Sequence, residues 1–147
     1  MQKLTHKTVQ DYISEAEAWD EQERHKKAIE SYEKALTLLD HASTKEDLIL
    51  RGECNQAMGT LWRLLGKHKY TGDYYQKAVQ DFQTAYDGKP HLKLGEMYYL
   101  LGSFLEQIWR LKPAKIYYQQ ALEQLVVCLG EDHPNTCKVR EKLHHKN

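Results

Sequence analysis

The residues whose types could do chemistry are few and poorly placed for it. The three cysteines, Cys54, Cys128 and Cys137, form no C-x-x-C pair, so neither a disulfide framework nor a zinc site is indicated. His144 and His145 could hold a metal weakly, but neighbouring side chains on a helix point about 100° apart, which favours a solvated tail. No phosphate-binding glycine loop, H-E-x-x-H or G-x-S-x-G motif is present. We therefore predict no catalytic residue, cofactor or metal, and no enzyme.

The overall charge gives no reason to expect nucleic acid or a membrane as partner. The 21 basic and 21 acidic side chains cancel, so the whole molecule has no strong field for an anionic surface. Residues 1–10 lack an apolar signal segment, and no stretch approaches the roughly 18 apolar residues that span a bilayer. Unpaired cysteines suggest a reducing compartment. We predict a cytoplasmic protein that binds neither nucleic acid nor membrane.

Two local clusters of charge interrupt this balance. Between Asp11 and Glu23 lie six carboxylates and no basic residue, which a solvated helix face explains better than a docking surface. Residues 63–69 contain the one small basic cluster that we identify, too small by itself to favour a nucleic-acid binder.

The elements that must position any site are helices. The chain has only three prolines, and its longer segments are rich in Ala, Leu, Glu, Gln and Lys, which predicts one all-α domain over residues 1–147. Ser43 to Glu46 has the form of a capping box, and residues 71–73 read as a helix stop followed by an N-cap. Trp19, Trp62 and Trp109 are expected in the core. The predicted helices are at about 7–23, 25–40, 44–69, 73–87, 92–110, 113–129 and 135–144.

A small-aromatic-small spacing occurs three times, each time in the second helix of a predicted pair. The segments are AIESYEKAL, AVQDFQTAY and AKIYYQQAL, which begin at Ala28, Ala78 and Ala114. Twelve residues before each lies another small residue, and these are Ala16, Gly66 and Gly102. Small residues let two helix backbones approach closely. Gly66, Ala78, Gly102 and Ala114 are therefore predicted to be buried at helix contacts.

This pattern resembles the tetratricopeptide repeat, W-x2-L-G-x2-Y followed by A-x3-F and a proline. The second unit matches at Trp62, Leu65, Gly66, Ala78, Phe82, Ala85 and Pro90, and the third at Tyr98, Leu101, Gly102, Ala114, Tyr118 and Ala121. The segment LGEDHPNT, residues 129–136, is similar to a repeat junction of kinesin light chains.

The resemblance implies a right-handed α-solenoid of three helix pairs with a short C-terminal capping helix. The repeats would cover about 7–40, 44–88 and 92–129, and the cap about 135–144. On this alignment residues 41–58 are surplus, so we expect them to form an irregular extension of the third helix.

The resemblance also implies where a partner would bind. In tetratricopeptide proteins the first helices of successive pairs line a concave groove that holds a peptide segment or a helix. The groove would be acidic at its N-terminal wall and basic in the middle, and Tyr99, outside the core, would be an anchor. A chaperone-type carboxylate clamp is disfavoured because Ile13 and Glu17 replace its basic and amide groups. The predicted groove residues are Gln10, Ile13, Glu17 and Asp20 on the first helix, Arg63, Lys67 and Tyr70 on the third, and Tyr99, Ser103 and Glu106 on the fifth.

Three functions remain open from the sequence. The first is a protein-interaction module or adaptor that binds a segment of another protein. The second is a secretion or assembly chaperone, and the third is a structural protein that forms a homo-oligomer.

Overall fold

A computed structural model describes residues 7–144, and the helical prediction is confirmed there: this part of the chain contains helices and no strand. His145, the second residue of the histidine pair, lies outside the described residues. The helices are α1 (Val9–Glu21), α2 (His25–Leu38), α3 (Lys45–Leu64), α4 (His68–Ala85), α5 (Leu92–Gln107), α6 (Leu111–Leu129) and α7 (Pro134–His144).

The helices pack as stacked antiparallel pairs. Helices α1 and α2, α3 and α4, and α5 and α6 form the pairs, while α2 against α3 and α4 against α5 join one pair to the next. Helix α7 packs on α6, where Thr136 and Val139 are buried. One apolar cluster fills the N-terminal part of the stack and a second fills the C-terminal part. The all-α solenoid expected from the sequence is confirmed.

The three pairs repeat at a constant interval of 43 residues. Tyr32, Tyr75 and Tyr118 recur at that interval, and all three are buried on the second helix of their pair. Opposite Tyr75 and Tyr118 lie Gly59 and Gly102, also 43 apart. A Cβ on Gly59 would overlap the ring of Tyr75, and one on Gly102 would lie 2.8 Å from the ring of Tyr118. The second and third pairs are therefore closed by a large ring against a residue without a side chain.

The alignment of the second repeat by Gly66 and Ala78 is wrong. Gly66 is exposed, has φ of +75° and has nothing within 4 Å of a Cβ built on it, so it ends α3 instead of packing against α4. Ala78, Gly102 and Ala114 are buried as predicted. The residue that corresponds to Ala28 and Ala114 is Thr71, which is fully buried.

The helix bounds in this region also differ from the prediction by a few residues. The third helix was predicted to reach about residue 69, and the fourth to begin at about 73; they end at Leu64 and begin at His68. Thr71 lies inside α4, where its hydroxyl donates to the carbonyl of Lys67 at 3.0 Å. Residues 41–58 are no extension, because Gly52 in α3 meets Phe82 as Gly95 in α5 meets Leu125. The second repeat is regular.

A buried polar link joins the first two pairs. The Asp81 carboxylate accepts hydrogen bonds from the guanidinium of Arg51, the shortest at 2.8 Å, and from the Asn55 amide at 3.0 Å. Arg51 also donates to the carbonyls of Leu39 and Asp40, which end α2. Arg51 therefore ties α2, α3 and α4 together.

We predict opposite effects for two glycine substitutions. Gly59→Ala should lower the free energy of unfolding by about 1–3 kcal/mol, because the new methyl group overlaps the Tyr75 ring. Gly72→Ala, also within a helix, should raise it by about 0.5–1 kcal/mol, because its Cβ makes an ordinary contact 3.8 Å from Phe104. Urea denaturation measures both. Equal effects would show that the close contact, or seam, between α3 and α4 does not lie at Gly59.

We also predict that Arg51→Ala lowers the free energy of unfolding by about 3 kcal/mol, since it leaves the Asp81 carboxylate buried with only Asn55 as partner. The matched control is Lys93→Ala, which removes a more exposed pair 3.4 Å from Glu53 and should cost less than about 1 kcal/mol. Thermal unfolding followed by circular dichroism checks both, and equal losses would contradict the role given to Arg51.

Candidate partner-binding groove

Helices α1, α3 and α5, the first of each pair, line one face of the stack. Arg63 at the end of α3 donates to Gln107 at 2.6 Å and to Ser103 at 3.1 Å, both on α5. Lys93 of α5 lies 3.4 Å from Glu53 of α3. Between α1 and α3 this face contains a cavity of about 350 Å³ and an adjoining one of about 210 Å³. They share four lining residues and form one groove, lined in common by Tyr32, Glu53, Gln56 and Ala57.

The residues predicted on α1 are all at this groove. Gln10, Ile13 and Glu17 line the larger cavity. Asp20 lines the smaller one. They lie there because α1 was placed in the correct register, and their role in binding a partner stays a prediction.

The prediction for α3 was right at only one position. Lys67 is the N-cap of α4, and Tyr70 lies in the first turn of α4, with its ring tilted by 43° against that of Trp62 and the ring centroids 4.9 Å apart. Neither residue is on α3, because α3 ends three residues before Lys67. Arg63 is on α3 as predicted.

Sequence reasoning missed the other α3 residues of the groove. Three of them, Glu53, Gln56 and Thr60, line the cavities and stand 43 residues after Gln10, Ile13 and Glu17. The 43-residue recurrence of Tyr32, Tyr75 and Tyr118 was the signal that could have found them.

On α5 the predicted groove residues are engaged with neighbouring helices. Ser103 accepts from Arg63, and Glu106 accepts from the Tyr118 hydroxyl at 2.7 Å and from Lys142 of α7 at 3.3 Å. Burial and this carboxylate raise the pKa of Tyr118 well above its usual range. The open part of the groove lies between α1 and α3, away from these contacts.

Tyr99 is not the free aromatic that the sequence suggested. Its ring is half-buried against the C-terminal core, 5.6 Å from the ring of Tyr118 and beneath the ammonium of Lys138 at 5.3 Å. The expectation that Tyr99 lies outside the core is wrong, because α7 packs beside it.

Trp19 and Trp62 pack at the edge of the N-terminal core, whereas Trp109, also expected in the core, is 82% exposed.

The open groove is acidic above an apolar floor. Ile13, Leu50 and Ala57 contribute apolar surface, while Glu17 and Glu53 line its sides. Glu17 makes no ion pair within the described part of the chain, and only Lys93 lies close to Glu53. Of the predicted basic middle, Lys67 lies outside the groove and Arg63 is hydrogen-bonded to α5, so Lys93 is the basic residue that lines the open cavities.

Two buried groups beside the groove have raised pKa values, mainly because they are buried. Burial, followed by the nearby carboxylates of Glu17 and Asp20, raises the pKa of the Tyr32 hydroxyl well above its usual range. Burial, with Glu53 and Glu17, raises the pKa of the Cys54 thiol to about 12. The Cys54 thiol stays protonated at neutral pH, so it is a packing residue of the floor and not a nucleophile.

Within residues 7–144 no three His, Cys, Asp or Glu side chains are arranged to hold a metal ion. Over the same residues no helix combines the length and the apolar character that a bilayer crossing requires.

Comparisons with known proteins agree with this geometry. Residues 12–38 and 95–124 match the sequence model of the tetratricopeptide repeat. Among solved structures the chain is similar to BtubC (BKLC) from P. vanneervenii, with 20% sequence identity and a TM-score of 0.79. The similarity covers 97% of this chain but 57% of that protein. No significant match exists among curated proteins.

The chain therefore has an all-α solenoid fold, and two of its segments match the tetratricopeptide repeat. The matched segments lie in the first and third helix pairs. The second pair lies between them, and its register is the one that the sequence did not reveal. The specific kinesin-light-chain junction at residues 129–136 stays a prediction.

We predict that a thiol reagent at pH 8 distinguishes the cysteines. Exposed Cys128 should react within minutes, while Cys54 should react only when the protein unfolds, because it is buried and its thiol is protonated. Mass spectrometry of labelled peptides measures this. Rapid labelling of Cys54 in the folded protein would contradict the closed groove floor.

Proposed function

We propose that this protein is an interaction module that binds a segment of a partner protein in the groove between α1 and α3. The observation that supports this best is the open groove itself, which combines an apolar floor with carboxylates that the chain leaves largely unneutralised. Proteins of the tetratricopeptide type generally mediate protein–protein interactions through such concave surfaces.

The chemistry of the groove favours a segment with Lys or Arg beside an aliphatic residue. The aliphatic side chain would contact Ile13 and Ala57 on the floor. The basic group would reach Glu17 or Asp20, and its long methylene stem would cover the apolar surface below. An acidic segment would meet like charges there, so the groove should reject it.

The proposal is tested with an array of 12-residue peptides of varied charge and hydrophobicity, followed by calorimetry on the best binder. Glu17→Lys with Glu53→Lys should raise its Kd at least tenfold, because both changes replace an attracting charge by a repelling one. The matched control is Glu30→Lys with Glu123→Lys, two exposed positions on α2 and α6 with the same change in net charge.

The control pair should leave Kd within a factor of about two, and circular dichroism should show intact helices in all variants. If both pairs weaken binding equally, or neither does, the groove is not the binding site. If only acidic peptides bind, the assigned partner chemistry is wrong.

A further inference from the structure

A second surface is defined by the turns inside the three helix pairs. The residues at and just after each turn are strongly basic, at positions 24–27, 67–69 and 110–115. No Asp or Glu occurs in residues 54–72 or 107–122. All the Lys and Arg of the three turns are exposed. We call this set the basic edge: Arg24, Lys26, Lys27, Lys67, Lys69, Arg110, Lys112 and Lys115.

The fold brings the three turns to one edge of the solenoid. Arg24, Lys67 and Arg110 are the N-caps of α2, α4 and α6 and recur every 43 residues, so they occupy the same place in each pair. Contacts across the stack join neighbouring turns: Arg63 bonds Gln107 at 2.6 Å. In the sequence only residues 63–69 stood out as basic. The stacking of the pairs brings the basic residues of all three inter-helix turns to one edge.

The charges of the basic edge are not neutralised. No salt bridge within the described residues involves any member of the set. Arg24 and Lys27 lie over the ring of Trp19, at 5.9 and 5.4 Å, and this is a contact with an aromatic face.

These positions also oppose the stability of the helices. A basic residue at a helix N-terminus faces the positive end of the helix dipole, which costs roughly 0.3–1 kcal/mol per site. None of the three N-caps makes a side-chain capping bond. In contrast, α1 and α3 begin with the capping threonines Thr8 and Thr44. The basic residues therefore do not serve the local stability of their helices.

Trp109 adds a large apolar side chain to this surface. It lies in the third turn next to Arg110, is 82% exposed and has no ring contact within the described residues. Ile116, in the second turn of α6, is 62% exposed. An exposed tryptophan amid cations offers contact area at a small cost in side-chain entropy.

We propose that the basic edge binds an acidic segment of a partner protein, with an apolar side chain of that segment against Trp109. This site is separate from the acidic groove and has the opposite charge preference. A protein segment fits better than single-stranded nucleic acid, which stacks successive bases on several aromatic rings: at this edge Trp109 is 82% exposed, whereas the ring of Tyr70 is 48% exposed and lies against Trp62.

The test uses a fluorescein-labelled 12-residue peptide of glutamates with one central leucine, measured by fluorescence anisotropy. Lys69→Glu with Lys112→Glu should raise the Kd at least tenfold. The matched control is Lys45→Glu with Lys89→Glu, two exposed lysines outside the basic edge, at the start of α3 and between α4 and α5. The control should change the Kd less than about threefold, since it alters only the net charge.

Trp109→Ala should raise the Kd three- to tenfold without changing its dependence on salt, since it removes apolar contact and no charge. The groove variant Glu17→Lys with Glu53→Lys should not weaken the binding of the acidic peptide. This separates the basic edge from the groove.

Four results would overturn the proposal. These are equal weakening by the edge and control pairs, no binding of the peptide at 1 mM protein, an unchanged Kd in Trp109→Ala, and an edge-dependent preference for a 20-nucleotide oligothymidine or for phosphatidylserine vesicles over the peptide. Circular dichroism on every variant confirms that the helices are intact.

Discussion

The close approach of the two helices in each pair is the constraint on which the rest of the structure depends. A tyrosine ring on the second helix, such as Tyr75, fits against a residue without a side chain on the first, such as Gly59. Because the two positions recur every 43 residues, each pair closes in the same geometry and the pairs stack in one register. A shift by a few residues would place a larger side chain in the seam and push the helices apart.

Both candidate surfaces follow from that register. Helices α1 and α3 present equivalent positions to one face, so Glu17 and Glu53 come to line the same groove although 36 residues separate them in sequence. The turns likewise repeat at one edge, which aligns Arg24, Lys67 and Arg110. A protein without net charge thus has an acidic face and a basic edge. The net charge of the chain is zero, but a partner that binds one surface interacts mainly with the charges of that surface.

The sequence predicted the helical class, the pairing and the third seam, since Gly102 and Ala114 retain the small residues that close contact requires. It misplaced the second seam for a physical reason. The buried position there holds Thr71, a polar residue whose hydroxyl is satisfied by a carbonyl one turn earlier, so the seam lacks its small apolar signal. Gly66, which ends a helix, stood at the spacing where a seam glycine was expected.

Other features depend on contacts that no local pattern records. The ion pair of Arg51 with Asp81 joins residues 30 apart, and the packing of α7 beside Tyr99 leaves the expected anchor half-buried against the C-terminal core. Trp109 lies in a turn with φ of +63°, a conformation that Glu23 shares at φ of +58° and that residue type does not indicate.

The central claim, that α1 and α3 form the partner-binding face, is tested most directly by amide chemical shifts of the uniformly labelled protein during titration with a Lys- and Leu-containing peptide selected from the array. We expect the largest chemical-shift changes at Ile13, Gln56, Ala57 and Thr60, and small changes on α6. Changes confined to α2, α4 and α6, with α1 and α3 unaffected at saturation, would contradict it.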